Sequence, residues 1–197
     1  MRKPALLIID MQNDFVLNGK PLQVKGATDI IPRIRTILSY FRSQSLPVFH
    51  VVRIHRPDGS DVEIIRQDLF KKSPFAVQGT HGAAVIDPIT PIPGEYTLSK
   101  IRMSAFIGTG LDLTLRTLGV DTVVVVGIQT PNCIRTTVFD AISYNYHVCL
   151  IDDATAAQTE EIHQSNVRDM ANIGVKILMS NDVSEICFRN RADTSLR

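Results

Sequence analysis

Five apolar runs of strand length, Ala5 to Ile9, Pro47 to Val52, Thr122 to Val126, His147 to Ile151 and Val175 to Met179, set the strongest limit on how this chain can fold. Several are rich in valine and isoleucine without polar alternation, the pattern of strands covered on both faces of a parallel sheet. Between the runs the spacing becomes helical: Ile30, Ile34, Ile37, Leu38 and Phe41 make one stripe, and Leu111, Leu115 and Leu118 another. Further helices are expected to begin near Pro131 and near Thr159. Parallel neighbours need crossover connections of a single hand, so strands alternating with helices predict a three-layer αβα fold around a mainly parallel sheet. The length of 197 residues suits one domain over residues 1–197.

Residues 53–97 break the alternation, with Pro57, Pro74, Pro88, Pro91 and Pro93 among Gly59, Gly79, Gly82 and Gly94. Connections longer than about 12–15 residues without regular structure are usually functional, so this insertion is expected to wall the site. A short strand from Glu95 to Ser99 should follow it. The polar tail 187–197, with Arg189, Arg191 and Arg197, reads as frayed or as an oligomer contact.

With 21 Lys+Arg against 20 Asp+Glu there is no basic excess to attract nucleic acid or an anionic membrane, and a small molecule is the expected partner. The apolar run that Asp10 closes is too short for a signal-peptide core or a membrane span, so a cytoplasmic protein is expected. Cys133, Cys149 and Cys187 are odd in number and have no CxxC spacing, which argues against a disulfide framework or a zinc knuckle.

In open parallel sheets ligands bind beyond the carboxyl ends of the strands. Asp10 ends the first run, and the Met11-Gln12-Asn13-Asp14 that follows lacks the glycines of a dinucleotide loop. The valine strand runs into Gly127-Ile128-Gln129-Thr130-Pro131-Asn132-Cys133. Thr130 fits an N-cap and Pro131 the first helical position, placing Cys133 where a helix N-terminus favours a thiolate and backbone N–H groups can face an oxyanion. A cysteine in such a place is about as often a small buried hydrophobe as a nucleophile. Lys100, after the short strand, offers a cation that would lower the thiol pKa and keep Asp10 ionised.

Four ordered segments, Leu6 to Phe15, Gln78-Gly79-Thr80-His81-Gly82-Ala83, Lys100 to Phe106 and Gly127 to Cys133, together resemble the isochorismatase-like cysteine hydrolases over residues 5–182. The resemblance implies that Asp10, Lys100 and Cys133 form a catalytic triad cleaving a C–N bond of a small amide, N-carbamoyl or ureido compound through a thioester. It also implies a cis peptide at Ile128–Gln129, an oxyanion hole from the backbone N–H groups of Gln129 and Cys133, and a homo-oligomer. No cofactor is implied.

Nicotinamidases within this superfamily carry a metal site from an Asp-x-His motif and a later histidine. Here Arg53-Ile54-His55 puts arginine in place of the aspartate, and Phe75 stands where the later histidine is expected, so no bound metal is predicted. Arg53, Arg102 and Arg135 could pair with a substrate carboxylate, Arg102 first among them because an extended chain returns it to the face of Lys100. Gln129 could read a ureido group and Phe15 wall the pocket, although Phe15, Phe75 and Phe106 fit an ordinary core as well. His55 and His81 read as structural. The competing readings are a catalytically idle protein that uses the same pocket to hold a metabolite or a protein partner, and an isochorismatase- or nicotinamidase-type activity.

Overall fold

The computed structural model describes residues 2–20 and 22–188; the tail bearing Arg189, Arg191 and Arg197 lies outside them. Six strands, β1 (Pro4–Ile9), β2 (Val48–Arg53), β3 (Tyr96–Lys100), β4 (Thr122–Ile128), β5 (His147–Ala156) and β6 (Lys176–Leu178), form one sheet in the order β3-β2-β1-β4-β5-β6. Every neighbouring pair is parallel. The α-helices are α1 (Asn13–Val16), α2 (Ile31–Ser43), α3 (Gln67–Lys72), α4 (Leu111–Thr117), α5 (Arg135–Ser143), α6 (Glu160–Asn172) and α7 (Glu185–Phe188).

Alternate residues of each central strand face opposite sides, which divides the core in two. Leu6, Ile8, Val124 and Val126 pack with Ile34, Ile37, Leu38 and Phe41 of α2. Ala5, Leu7, Ile9, Val123 and Val125 pack with Leu111 and Leu115 of α4, Val138 of α5, and Val167 and Met170 of α6. The result is a three-layer αβα sandwich. The insertion is not a detached loop, since Val62, Phe70, Phe75, Ile86 and Ile89 join the α2 side of the core.

Every strand differs by at least a residue at one end from the sequence reading, and two of the differences bear on the site. β5 continues past its apolar run to Ala156, because Asp152 and Asp153 have partners: Asp152 accepts from His163 at 2.8 Å, and Asp153 from the Ser180 backbone and hydroxyl at 2.7 and 2.6 Å. A register shift between Val125 and Gly127 accommodates the added length. The β3 strand is displaced by one residue and ends on Lys100 itself. Among the described residues no helix is long and apolar enough to cross a membrane.

Candidate active site

The chain lays down β1, β2 and β3 in one direction, then returns to place β4 on the other side of β1. The strand order therefore switches between β1 and β4, and the crevice beyond their carboxyl ends is where such sheets bind ligands. Asp10 stands at that edge with φ 54°, a left-handed conformation that Asp tolerates better than most side chains. Its N–H still donates to Val51 O at 2.9 Å, and the chain then turns off the sheet. On the other lip, Gly127 has φ 109°, and a Cβ there would fall 2.2 Å from Ile9 O. Only glycine lets β4 approach β1 this closely, and the approach carries the segment 128–133 over Asp10. The Ile128–Gln129 peptide is cis.

Four strand ends converge. Lys100 Nζ, from β3, donates to Asp10 Oδ2 at 2.9 Å and to Arg102 O at 3.2 Å, and lies 3.4 Å from Cys133 Sγ. Arg53, from β2, donates through Nη1 to Glu63 at 2.8 Å and through Nη2 to Cys133 Sγ at 3.7 Å. Both cations are 1% exposed, and Cys133 is 5% exposed. Gln12 secures Arg53 from behind: its carbonyl accepts the Arg53 N–H at 2.7 Å, and its amide donates to Arg53 O at 2.8 Å and Ala83 O at 2.7 Å.

Cys133 does not occupy the first turn of α5 as the sequence suggested. It sits in a π-helical turn, Thr130–Ile134, that precedes α5, with Gln129 O accepting the N–H groups of Asn132 and Ile134 at 3.0 and 3.2 Å. Thr130 is inside this turn and not its cap; its hydroxyl pairs with His163 Nδ1 at 2.8 Å, while His163 Nε2 pairs with Asp152. The expectation of a lowered thiol pKa is also corrected. Burial pushes the Cys133 thiol up and the Asp10 charge adds to that, while Lys100 and Arg53 pull the other way without prevailing. Burial works against the charged Arg53, but Asp10, Cys133 and Glu63 raise its pKa further above the usual arginine value. Burial opposes the charge of Glu63 too, and Arg53 nevertheless holds it below the usual carboxylate range.

A cavity of about 220 Å³ opens over the sulfur, lined by Asp10, Cys133 and three predicted contacts, Phe15, Arg53 and Gln129. Arg66, Asn132 and Gln158 also line it, with Leu22, Val24 and Ile128 as the apolar part. Sequence reasoning passed over these. Asn132 is the sequence neighbour of Cys133, whereas Arg66, ending a 3-10 turn in the insertion, and Gln158, in the connection before α6, arrive by tertiary packing that no local pattern signals.

Two predicted contacts are not brought to the cavity. The extended chain stops at Lys100, so the alternation that would have aimed Arg102 inward ends there; Arg102 Nη1 instead donates to Asp61 O and Ile101 O, both at 2.8 Å. Arg135, the first residue of α5, pairs with Asp169 of α6 and lies over the Phe139 ring, outside the cavity. Phe75 packs against Phe15, Phe70 and His55, and Phe106 stacks on Tyr144 on the opposite side of the sheet.

The residues around His55 do not fit a metal, because Arg53 and Phe75, neither of which can ligate a cation, stand where the other two ligands would be needed. His55 Nδ1 pairs with Asp61 at 3.2 Å, Nε2 is buried without a partner, and burial together with Arg53 lowers its pKa. Among the described residues no group of three His, Cys, Asp or Glu side chains is placed to hold an ion.

Comparison with known proteins places this architecture. The isochorismatase domain model matches residues 4–182. A probable inactive nicotinamidase of Arabidopsis thaliana is 44% identical over 188 residues, covering 93% of this chain and 96% of its own. The maleamate amidohydrolase of Pseudomonas putida is 31% identical, over 86% and 79% of the two chains. The crystal structure of an isochorismatase family protein from Desulfovibrio vulgaris superposes with a TM-score of 0.93 at 44% identity, covering 96% of this chain and 100% of that one. With this sheet order, and with Asp10, Lys100 and Cys133 gathered at its switch point, the chain belongs to the isochorismatase family.

Proposed function

We propose that the protein is a cysteine-dependent hydrolase that cleaves a C–N bond in a small, carboxylate-bearing amide, N-carbamoyl or ureido compound. One observation carries the reading: Lys100 Nζ lies 2.9 Å from Asp10 and 3.4 Å from Cys133 Sγ, and both of those partners line a small cavity. Nucleophile, proton carrier and cation are thus within reach of one another.

Asp10 Oδ2 is held by Lys100, while Oδ1 is buried without a partner and can take a proton. In the first half-reaction Asp10 accepts the thiol proton as Cys133 Sγ bonds to the substrate carbonyl carbon. The negative charge passes to the carbonyl oxygen, toward the N–H groups of Gln129 and Cys133. Collapse breaks the C–N bond, and the nitrogen leaves as ammonia or an amine with the proton from Asp10. Water then gives a proton to Asp10 and its oxygen to the thioester carbon, and the proton returns to sulfur as the C–S bond breaks. One water is consumed, and Asp10 ends as it began. A thiol kept protonated at rest by burial suits this scheme, because the proton moves only when substrate is in place.

The cavity is smaller than the ~300–1,000 Å³ common for drug-sized ligands, which favours a compact substrate. Arg66 lines it and makes no side-chain hydrogen bond among the described residues, so a substrate carboxylate would have a fork to meet. The amide chemistry named for the Pseudomonas putida relative agrees with this class. The name of the Arabidopsis thaliana relative favours the second reading, an idle binding protein.

Ammonia release from a panel of carboxylated amides, N-carbamoyl and ureido acids and nicotinamide separates the two. Turnover that Cys133→Ala abolishes and a chelator leaves intact supports the hydrolase. Absence of turnover on the whole panel, in protein whose Cys133 also resists alkylation, supports the idle protein.

A further inference from the structure

Building on the proposed role of Cys133, we infer that Arg53 serves the nucleophile and not the substrate: it is a second fixed cation for the sulfur, with Glu63 and Gln12 as its positioning residues. Although Arg53 borders the cavity, both of its terminal nitrogens already donate to other protein groups. Nη1 is taken by Glu63 at 2.8 Å and Nη2 points to Cys133 Sγ at 3.7 Å. Its backbone N–H and carbonyl are both held by the Gln12 side chain, so the guanidinium has little freedom to follow a ligand. Arg66, with no such commitments, is left to read the substrate.

A charge count explains why the nucleophile needs this second cation. Facing Cys133 are Asp10 from β1, Lys100 from β3 and Arg53 from β2, with Glu63 behind Arg53 and Arg66 at the cavity wall; from α6, His163 reaches the turn only through Thr130. With a neutral thiol, the charges of buried Asp10, Lys100 and Arg53 and of partly buried Glu63 cancel. Moving the thiol proton to Asp10 leaves the sum unchanged, so a thiolate forms without adding net charge to a buried cluster. Without Arg53 the site would carry an excess negative charge both before and after the transfer, and the charge arriving on sulfur would face Lys100 alone, which a low-dielectric site resists. A guanidinium is suited to the place because it stays charged at every working pH.

The test is the rate of Cys133 alkylation by iodoacetamide, a neutral probe, as a function of pH in the full chain, alongside kcat and KM on whichever panel compound turns over. In Arg53→Gln, alkylation at neutral pH should fall at least about tenfold, the equivalent of one pKa unit, and kcat should fall more than KM changes. Arg53→Lys, which keeps the charge, should recover part of the rate. Glu63→Gln should alkylate at least as fast as wild type, since it removes a negative charge from behind the cation. Arg66→Gln should keep the wild-type alkylation profile and raise KM. The double variant Arg53→Gln/Glu63→Gln, which restores the charge balance and leaves no unpaired carboxylate, should still alkylate more slowly than wild type, because the sulfur has lost the cation facing it; full recovery there would assign the effect of the single variant to net charge or misfolding and overturn the inference. So would an Arg53→Gln protein with a wild-type alkylation profile and a raised KM. A wild-type Cys133 that is inert to iodoacetamide at every pH would instead overturn the nucleophile reading beneath it.

Discussion

Cys133, Asp10 and Lys100 were legible in the sequence because each is tied to a strand end, and strand ends can be read from apolar runs. For Arg102 the same logic fails, because the period-two rule does not extend the two residues past Lys100, where β3 stops. Glu63, Arg66 and Gln158 come from connections whose approach depends on tertiary packing, so no spacing pointed to them. Cys133→Ser should reduce ammonia release by more than about a thousandfold, the scale on which nucleophile removal usually acts, with melting temperature little changed. Lys100→Met should be costly in another way. It takes one cation from the buried Asp10 carboxylate, and removing one partner of a buried pair costs about 3–5 kcal/mol, which urea denaturation would read; Arg53 nearby should keep the loss toward the lower figure.

Between strand and helix, the Gln129–Cys133 segment is held by devices that sequence reasoning caught only in part. Gly127 was visible as a glycine, but its role as the contact with Ile9 depends on the β1–β4 register. Gly127→Ala would meet both a backbone clash and an unfavourable φ, and should lower stability by at least about 2 kcal/mol in chemical denaturation. The Thr130 side chain suits a helix cap, but the structure uses its hydroxyl for His163 instead. The Asp152 carboxylate accepts from His163 Nε2, so in the neutral ring Nδ1 is an acceptor and the Thr130 hydroxyl donates. Thr130→Val would leave Nδ1 buried without a partner, at about 1–3 kcal/mol, whereas Thr130→Ser should retain most of the stability.

For the whole molecule, the three-layer sandwich followed from the alternation of strand and helix patterns, because a sheet apolar on both faces must be covered on both. The strand order did not, since no local pattern says which strands are neighbours. One long-range tie bears on acid stability. Glu95, just before β3, binds Arg42 of α2 at 2.7 Å and His50 of β2 at 2.9 Å, and fastens a helix to the sheet. Burial opposes its charge, but Arg42, the Ile92 N–H and His50 hold its pKa down at about 2, against an ordinary 4.5. A carboxylate lowered on folding stabilises the protein above its unfolded pKa and loses that contribution as pH falls through the folded one. Burial also lowers the His50 pKa below 6.5, so the stability of its neutral form is present above 6.5 and declines as pH drops. The urea midpoint should therefore begin to fall below pH 6.5 and fall more steeply between 4.5 and 2. In Glu95→Gln it should be lower at neutral pH, with the steep acidic part flattened.

The central claim is that hydrolysis passes through a thioester on Cys133, and intact-protein mass spectrometry of rapidly quenched turnover tests it most directly. Wild type should carry an added mass equal to the acyl part of the substrate, located on the peptide containing Cys133, and Cys133→Ser should show neither that adduct nor turnover at the wild-type rate. Turnover that survives Cys133→Ser at the wild-type rate, with no adduct on the wild-type enzyme, would contradict it.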